Sequence, residues 1–302
     1  MKATVQPLPT PTTVTAEKSR WSVLSELIKV RLTGLVLLTT LVGFYVGYQG
    51  PMDWLLLLHT MIGTALLASG ASALNQLLER DLDALMRRTE DRPLPSGRMQ
   101  PAMVLWLGVL ASLLGMVYLF LFVNRVTGLL GAITLISYLA IYTPLKRITT
   151  LNTVVGAIPG ALPPLMGWTA ARGEITPPGW SLFAILFFWQ LPHFLAIAWM
   201  YREDYARAGF KMLPVVDPEG QRTGCQAVSH TLGLLPISLA PYLFHLAGAV
   251  YLVGALVLGG VYLWMAIQFS RKLSIPRARR LFLASILYLP LLLGLMVLNK
   301  IT

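Results

Sequence analysis

Charge is what this sequence has least of. Asp, Glu, Lys and Arg make up 12% of its 302 residues, about half of the quarter usual in a soluble domain. So little polar surface cannot cover a water-soluble globule of this size. That excludes a soluble enzyme, a disordered chain and an ordinary nucleic-acid-binding domain. Cysteine is nearly absent too. The single Cys225 excludes an intrachain disulfide, a four-thiolate metal cluster and a CxxCH motif. No charged segment followed by a short apolar run and a cleavage site opens the chain, so no secretory leader is expected. Residues 3–16 are rich in Thr and Pro and poor in Arg. This suits a flexible tail over 1–28 and argues against a mitochondrial presequence.

What is present is apolar. Hydrophobic residues reach 56% and the mean hydropathy is +0.66, which predicts an all-α, polytopic membrane protein. Nine runs approach the length of about 20 apolar residues that crosses a bilayer: 32–49, 54–76, 101–123, 126–143, 151–169, 180–200, 228–247, 249–268 and 281–299. Pro159, Pro163 and Pro164 interrupt the fifth, where Gly156 and Gly160 form a small-xxx-small spacing that permits close helix contact. Residues 29–302 are expected to form one domain. Of the 24 Lys and Arg, only Arg125, Arg172 and Lys300 fall outside the N-terminal segment and the loops after the second, fourth, sixth and eighth runs. That bias places the N-terminus in the cytoplasm and the C-terminus on the opposite side of a cell (inner) membrane. The net charge of +11 is then loop charge, and no nucleic-acid partner is expected.

The acids are more telling. Nine of the 13 carboxylates lie in 79–91 and 203–219, two segments on the same predicted face, while the spans carry no charge. Transporters place ionisable groups near mid-membrane, so the chemistry is expected at the inner edge. The second run is predicted to continue as helix through Asp83. Asn75, Glu79 and Asp83 then fall within about 80° of one another on one face. Three oxygen-bearing side chains at a membrane edge suit Mg²⁺, which is held by one or two carboxylates together with substrate phosphates. Arg87, Arg88, Arg92 and Arg98 follow, and guanidinium with a cation is what a diphosphate requires. A solvated helix end with i,i+4 charge pairs fits the same spacing.

At the second acidic segment, His193, Ile197, Met200 and Asp204 follow a 4-3-4 spacing that predicts one helix face, with Trp189 a turn deeper. Asp204 is the candidate for a second metal or diphosphate contact. His193 suits a base, a ligand or a hydrogen-bond donor, or a buried histidine bonded to a neighbouring helix. His59, His230 and His245 are read as structural. Lys146 and Arg147 in the linker after the fourth run either neutralise a departing diphosphate or only anchor orientation.

At these residues the sequence resembles the UbiA superfamily of intramembrane prenyltransferases, and within it the haem-prenylating branch. The resemblance is carried by Asn75-x3-Glu79-Arg-Asp81-Leu-Asp83 with Arg88 and Arg92-Pro93-Leu94. It continues in Tyr142-Thr-x2-Leu145-Lys146-Arg147 with Asn152, and in Trp189-Gln-x-Pro192-His193-Phe194 with Asp204-Tyr205 and Met212-Leu213-Pro214. Two departures stand out. Glu79 replaces the usual Asp, and position 208, four after Asp204, is Ala rather than a second acid.

The resemblance implies a nine-helix bundle with its active site at the cytoplasmic side. It also implies transfer of the farnesyl group of farnesyl diphosphate to a vinyl group of haem B, with addition of water, giving haem O and diphosphate. Asn75, Glu79, Asp83 and Asp204 would hold Mg²⁺. Arg88, Arg92, Lys146, Arg147 and Asn152 would bind the diphosphate. Trp189, Tyr142 and Tyr201 would face the prenyl cation, with His193 near the haem. The bilayer is the expected setting, and a downstream haem-modifying enzyme or terminal oxidase the implied recipient. Prenylation of a quinone precursor and haem binding without catalysis are the rival readings.

Overall fold

The structure, a computed structural model, describes residues 18–301. Its helices are α1 (Arg20–Leu27), α2 (Val30–Gly47), α3 (Trp54–Asp83), α4 (Pro101–Phe122), α5 (Arg125–Ile136), a π-helical stretch (Ser137–Tyr142), α6 (Thr143–Leu145), α7 (Asn152–Arg172), α8 (Pro177–Met200), α9 (Arg202–Arg207), α10 (Leu213–Val216), α11 (Gln221–Leu243), α12 (Ala249–Arg271) and α13 (Ile275–Leu298). Among the described residues there is no β-strand, only a single bridge between Ala247 and Lys300. With α5, the π stretch and α6 forming one rod, each of the nine predicted runs coincides with a long helix. Eight of these are long and apolar enough to cross a membrane, which makes the chain a multi-pass membrane protein. The other, α11, has the length, but its start carries Gln221, Arg222, Thr223, Gln226, Ser229 and His230.

Of the tail expected over 1–28, residues 1–17 lie outside the described residues. The rest is not a tail, because Arg20–Leu27 is helical. Ser19 Oγ caps it by accepting from Ser22 N. Gln76 Nε2, from α3, donates to the carbonyls of Glu26 and Leu27 at its other end, and Leu27 is buried with Ala73, Leu94 and Val104. Lys18 and Arg98 hydrogen-bond to Asp91 and hold its carboxyl down at about 2, which ties the start of the described chain to the loop after α3.

Two apolar clusters build the bundle. The larger joins α2, α7, α8, α11, α12 and α13, and the smaller joins α3, α4, α5 and α7. The helix α7 belongs to both and is the most buried span. Its contact with α2 depends on missing side chains. A Cβ added to Gly167 would run into the Thr40 carbonyl oxygen, and one on Gly43 into that of Pro164. Backbone cannot yield as a side-chain tip can, so Gly167→Val is expected to separate α2 from α7 at a cost of about 1–3 kcal/mol or more. Gly34→Ala, at a position with open space around it, should leave stability unchanged. Thermal melting of the purified protein in detergent compares the two.

The length of α3 places the site. Its 30 residues span about 45 Å, against a hydrocarbon core of about 30 Å. With its start near one interface, its last turns emerge at the other, and Asn75, Glu79 and Asp83 sit there.

Candidate active site

The predicted stripe on α3 forms and is buried: Asn75, Glu79 and Asp83 are 1%, 5% and 1% exposed. Each receives one cationic side chain. Lys29 Nζ donates to Asn75 Oδ1 at 2.8 Å. Lys146 Nζ donates to Glu79 Oε1 at 2.6 Å, and Arg92 donates to Asp83 Oδ2 at 2.6 Å. The three bases come from three separate places: the residue before α2, the residue after α6, and the loop after α3. Lys29 reaches Asn75 from a left-handed backbone, φ 50°, a conformation that costs a non-glycine residue about 1–2 kcal/mol. Arg88 adds a fourth cation. It meets no carboxylate, donates to the Tyr205 hydroxyl at 3.0 Å, and lies over the Tyr201 and Tyr205 rings. Arg88, Arg92 and Lys146, joined by Lys29 in its protonated form, outnumber the two carboxylates and make this end of the site a receptor for an anion.

Burial and crowding tune these groups. Burial, then the neighbouring Arg92 and Lys146, bring Lys29 down to about 7 against the pull of Glu79 and Asp83. Burial also opposes the charge on Lys146, but the adjacent tyrosines and Glu79 carboxylate outweigh it and hold its pKa above the usual lysine range. One atom is left over. Asp83 Oδ1 is buried with no hydrogen-bond partner. An orphaned carboxylate oxygen beside Glu79 and Asn75 fits a hard cation that completes its shell with phosphate oxygens.

The stripe opens into a cavity of about 370 Å³, within the range of about 300–1,000 Å³ usual for ligand sites. Its deeper walls are apolar and aromatic. Tyr138 and Tyr142 come from the π stretch, a helical irregularity that recurs at functional sites. Gly156 leaves room for the Tyr142 ring, and Gly160 for Gln190. The expected close contact at these two glycines is therefore made with side chains. From α8 come Trp189, His193 and Phe194. Trp189 stacks on His193 with ring centroids 5.2 Å apart, as the one-turn spacing predicts.

Nine expected site residues line this cavity: Asn75, Glu79, Asp83, Arg88, Arg92, Tyr142, Lys146, Trp189 and His193. Four do not. Asp204 was expected to share a helix face with His193, but α8 ends at Met200 and Tyr201 (φ −113°, ψ 22°) breaks the helical phase. Asp204 instead pairs with Arg207 within its own short helix. Tyr201, at the break, stays outside the wall under Arg88. Arg147 is exposed and forms no ion pair among the described residues. Asn152 is buried but spends its amide on the carbonyls of Thr149 and Lys211. It ties the linker after α6 to the loop before α10, as does Lys211 N donating to Lys146 O. Ala208 packs with Met86, Ala198, Phe210 and Met212, so the position that departs from the resembled pattern is apolar filling.

Sequence reasoning missed Lys29, Tyr138, Tyr205 and Phe210 on the cavity wall. For Tyr205 and Phe210 a signal existed, since both lie within the second acidic segment.

A model of the UbiA prenyltransferase family matches residues 36–290. The protoheme IX farnesyltransferase of Solibacter usitatus (strain Ellin6076) is 50% identical over 284 residues, covering 91% of this chain and 97% of that protein. A solved digeranylgeranylglyceryl phosphate synthase matches with a TM-score of 0.78 at 16% identity, over 92% of this chain and 98% of its own. A UbiA homolog from Archaeoglobus fulgidus bound to GPP and Mg²⁺ matches with a TM-score of 0.65 at 16% identity, over 91% and 99%. The two structures bear on the fold alone, and they agree with the expected bundle. On the family match, the extent of the similar sequence and the arrangement of α3 around the cavity, the chain belongs to the UbiA prenyltransferase family.

Proposed function

We propose that this chain transfers the farnesyl group of farnesyl diphosphate to a vinyl group of haem B with addition of water, giving haem O and diphosphate. The observation that carries the reading is the buried Asn75–Glu79–Asp83 stripe, with surplus cations, at the mouth of an apolar cavity. An amphiphile with a doubly charged head and an isoprenoid tail has that shape. The name of the Solibacter relative supports haem as acceptor, and the GPP and Mg²⁺ in the Archaeoglobus homolog support a magnesium-bound prenyl diphosphate.

Asn75, Glu79 and Asp83 would hold Mg²⁺, which when bound supplies positive charge to the diphosphate. Lys146, Arg92, Arg88 and Lys29 face the same anion. When the allylic C–O bond breaks, its electron pair leaves with the diphosphate, and charge grows on oxygens that these cations already surround. Stabilisation fixed in advance, in a site poor in water, acts most strongly on the transition state. The allylic cation is left against the faces of Tyr142 and Trp189. The vinyl π pair forms the new C–C bond, the neighbouring carbon takes the oxygen of a water, and that water gives up a proton. The basic residues orient the N-terminus and this site toward the cytoplasm in a cell (inner) membrane, with residues 29–302 acting as one domain. A haem-modifying enzyme or terminal oxidase would consume the product.

The test is incubation of the membrane-reconstituted protein with farnesyl diphosphate, Mg²⁺ and haem B, followed by mass analysis. The expected product is a haem heavier by one farnesol, with diphosphate released. Unchanged haem, or farnesyl transferred to an aromatic acid instead, overturns the reading.

A further inference from the structure

The protein has four histidines. Of these His193 lines the cavity, whereas His59 bonds the Tyr118 hydroxyl, His230 packs against Phe188 and His245 is exposed. His193 Nδ1 lies 2.7 Å from Ser285 Oγ, on α13, nearly a hundred residues further along the chain. Ser285 is wholly buried. A third atom decides which partner donates. Ser285 Oγ is also 2.5 Å from the Phe282 carbonyl oxygen. A carbonyl has no proton to give, and two oxygens that close need a hydrogen between them. The one hydroxyl proton of Ser285 therefore points at Phe282, its oxygen accepts, and His193 Nδ1 carries the proton. A neutral imidazole so arranged has its lone pair on Nε2. That nitrogen meets no hydrogen-bond partner among the described residues.

The rest of the ring is fixed as firmly. Trp189 stacks on one side, and the Phe282 ring centroid lies 5.0 Å away. The Trp189 indole N–H donates to the Ser285 carbonyl at 2.8 Å, and the Tyr262 hydroxyl donates to the Trp189 carbonyl at 3.1 Å. Thus α13 holds the side chains that α8 presents, and α12 the backbone beneath them. No carboxylate among the described residues pairs with the ring, so an imidazolium formed by taking a proton would find no counter-charge. These surroundings suit a neutral lone pair that binds a metal better than one that acts as a base.

We propose that Ser285 is a positioning residue that locks His193 as the Nδ1–H tautomer, so that Nε2 serves as an axial nitrogen ligand to the iron of the haem substrate. The proposal rests on haem being the acceptor. Imidazole nitrogen suits iron, and a ligating histidine characteristically gives its other N–H to a fixed acceptor that orients the ring. Ligation at the iron leaves the vinyl group free to react.

The test uses the full chain in nanodiscs titrated with haem B. It reads the iron–ligand bands by resonance Raman and, separately, turnover to the heavier haem. The wild type is expected to show imidazole ligation. His193→Ala loses that signature, and added imidazole restores it, which also shows that the variant is folded. Ser285→Ala is expected to weaken haem affinity roughly 10–100-fold and to lower the iron–imidazole stretching frequency, while Ser285→Thr, which keeps the hydroxyl, retains both. An imidazole signature surviving in His193→Ala overturns the ligand. So does a thioether spectrum from Met86, Met166 or Met212, which also line the cavity. Unchanged affinity and frequency in Ser285→Ala overturn the positioning role. A wild type that converts haem without imidazole ligation defeats this inference alone, whereas one that neither binds nor converts haem defeats the functional reading on which it rests.

Discussion

Asp83→Asn is expected to lower prenyl transfer by about 10³-fold or more while leaving the protein folded in the membrane. The substitution keeps the shape and one oxygen of the side chain but removes its charge. In the native site, Asp83 Oδ2 holds Arg92 at 2.6 Å and Oδ1 is buried without a partner. On the proposed function, the first oxygen would orient a cation toward the diphosphate, and the second is the one a metal would take. Loss of a single group that stabilises developing charge costs about 10²–10³ in turnover, and Asp83 serves two such groups at once. Folding should survive, because the Arg92 side chain is 27% exposed and can turn to solvent, and because Thr89 Oγ1 bonds the Asp83 carbonyl rather than its carboxylate. Turnover by mass analysis, with size-exclusion chromatography as the control for folding, checks it. Near-normal production of the heavier haem in Asp83→Asn would remove the metal model. Weaker binding of farnesyl diphosphate at low Mg²⁺ but not at high Mg²⁺ would place the defect at the cation.

This part of the site was legible in the sequence for a physical reason. Asn75, Glu79 and Asp83 lie on one unbroken helix, and helical phase carries from one residue to the next as long as the backbone stays helical. The same reasoning failed at Asp204, because it assumed phase across Tyr201, where the backbone leaves the helix. Nothing in the local residue pattern marks that break, since Tyr and Arg are tolerated in helices. Lys29 was invisible for another reason. A lysine just before the first span is what orientation alone demands, and only the fold shows that it reaches Asn75, 46 residues away, at 2.8 Å. Ser285 is the extreme case, a small polar residue in an apolar helix whose role depends on α13 packing against α8. The bundle itself was readable because crossing a bilayer imposes length and apolarity on each span separately. The residues brought together from different spans were readable only where the family resemblance supplied them. Tyr142 is of this kind, whereas Lys146, Trp189 and His193 stand out by position with alternative roles open, and the resemblance assigns them to one site.

Lys146→Met is expected to damage both stability and turnover, and the two losses can be separated. Lys146 Nζ is 2.6 Å from Glu79 Oε1, with the side chains 14% and 6% exposed, and it lies 4.6 Å from the centroid of the Tyr142 ring. Removing one partner of a buried ion pair strands the other, at a cost of about 3–5 kcal/mol. The melting temperature should therefore fall, and Glu79→Gln on the Lys146→Met background should recover most of it by neutralising the stranded carboxylate. Turnover should not recover, because the double variant still lacks a cation facing the diphosphate, and the loss from that alone is about 10²–10³-fold. Inhibition by inorganic diphosphate distinguishes the roles of Lys146. If it contacts the departing group, the folded fraction of Lys146→Met binds diphosphate more weakly than the wild type. If it only balances Glu79, that fraction binds diphosphate as before and the loss of turnover follows the loss of folded protein. The geometry favours the first outcome, because a counter-ion for Glu79 alone would need neither Arg92 and Lys29 crowded beside it nor a place on the cavity wall.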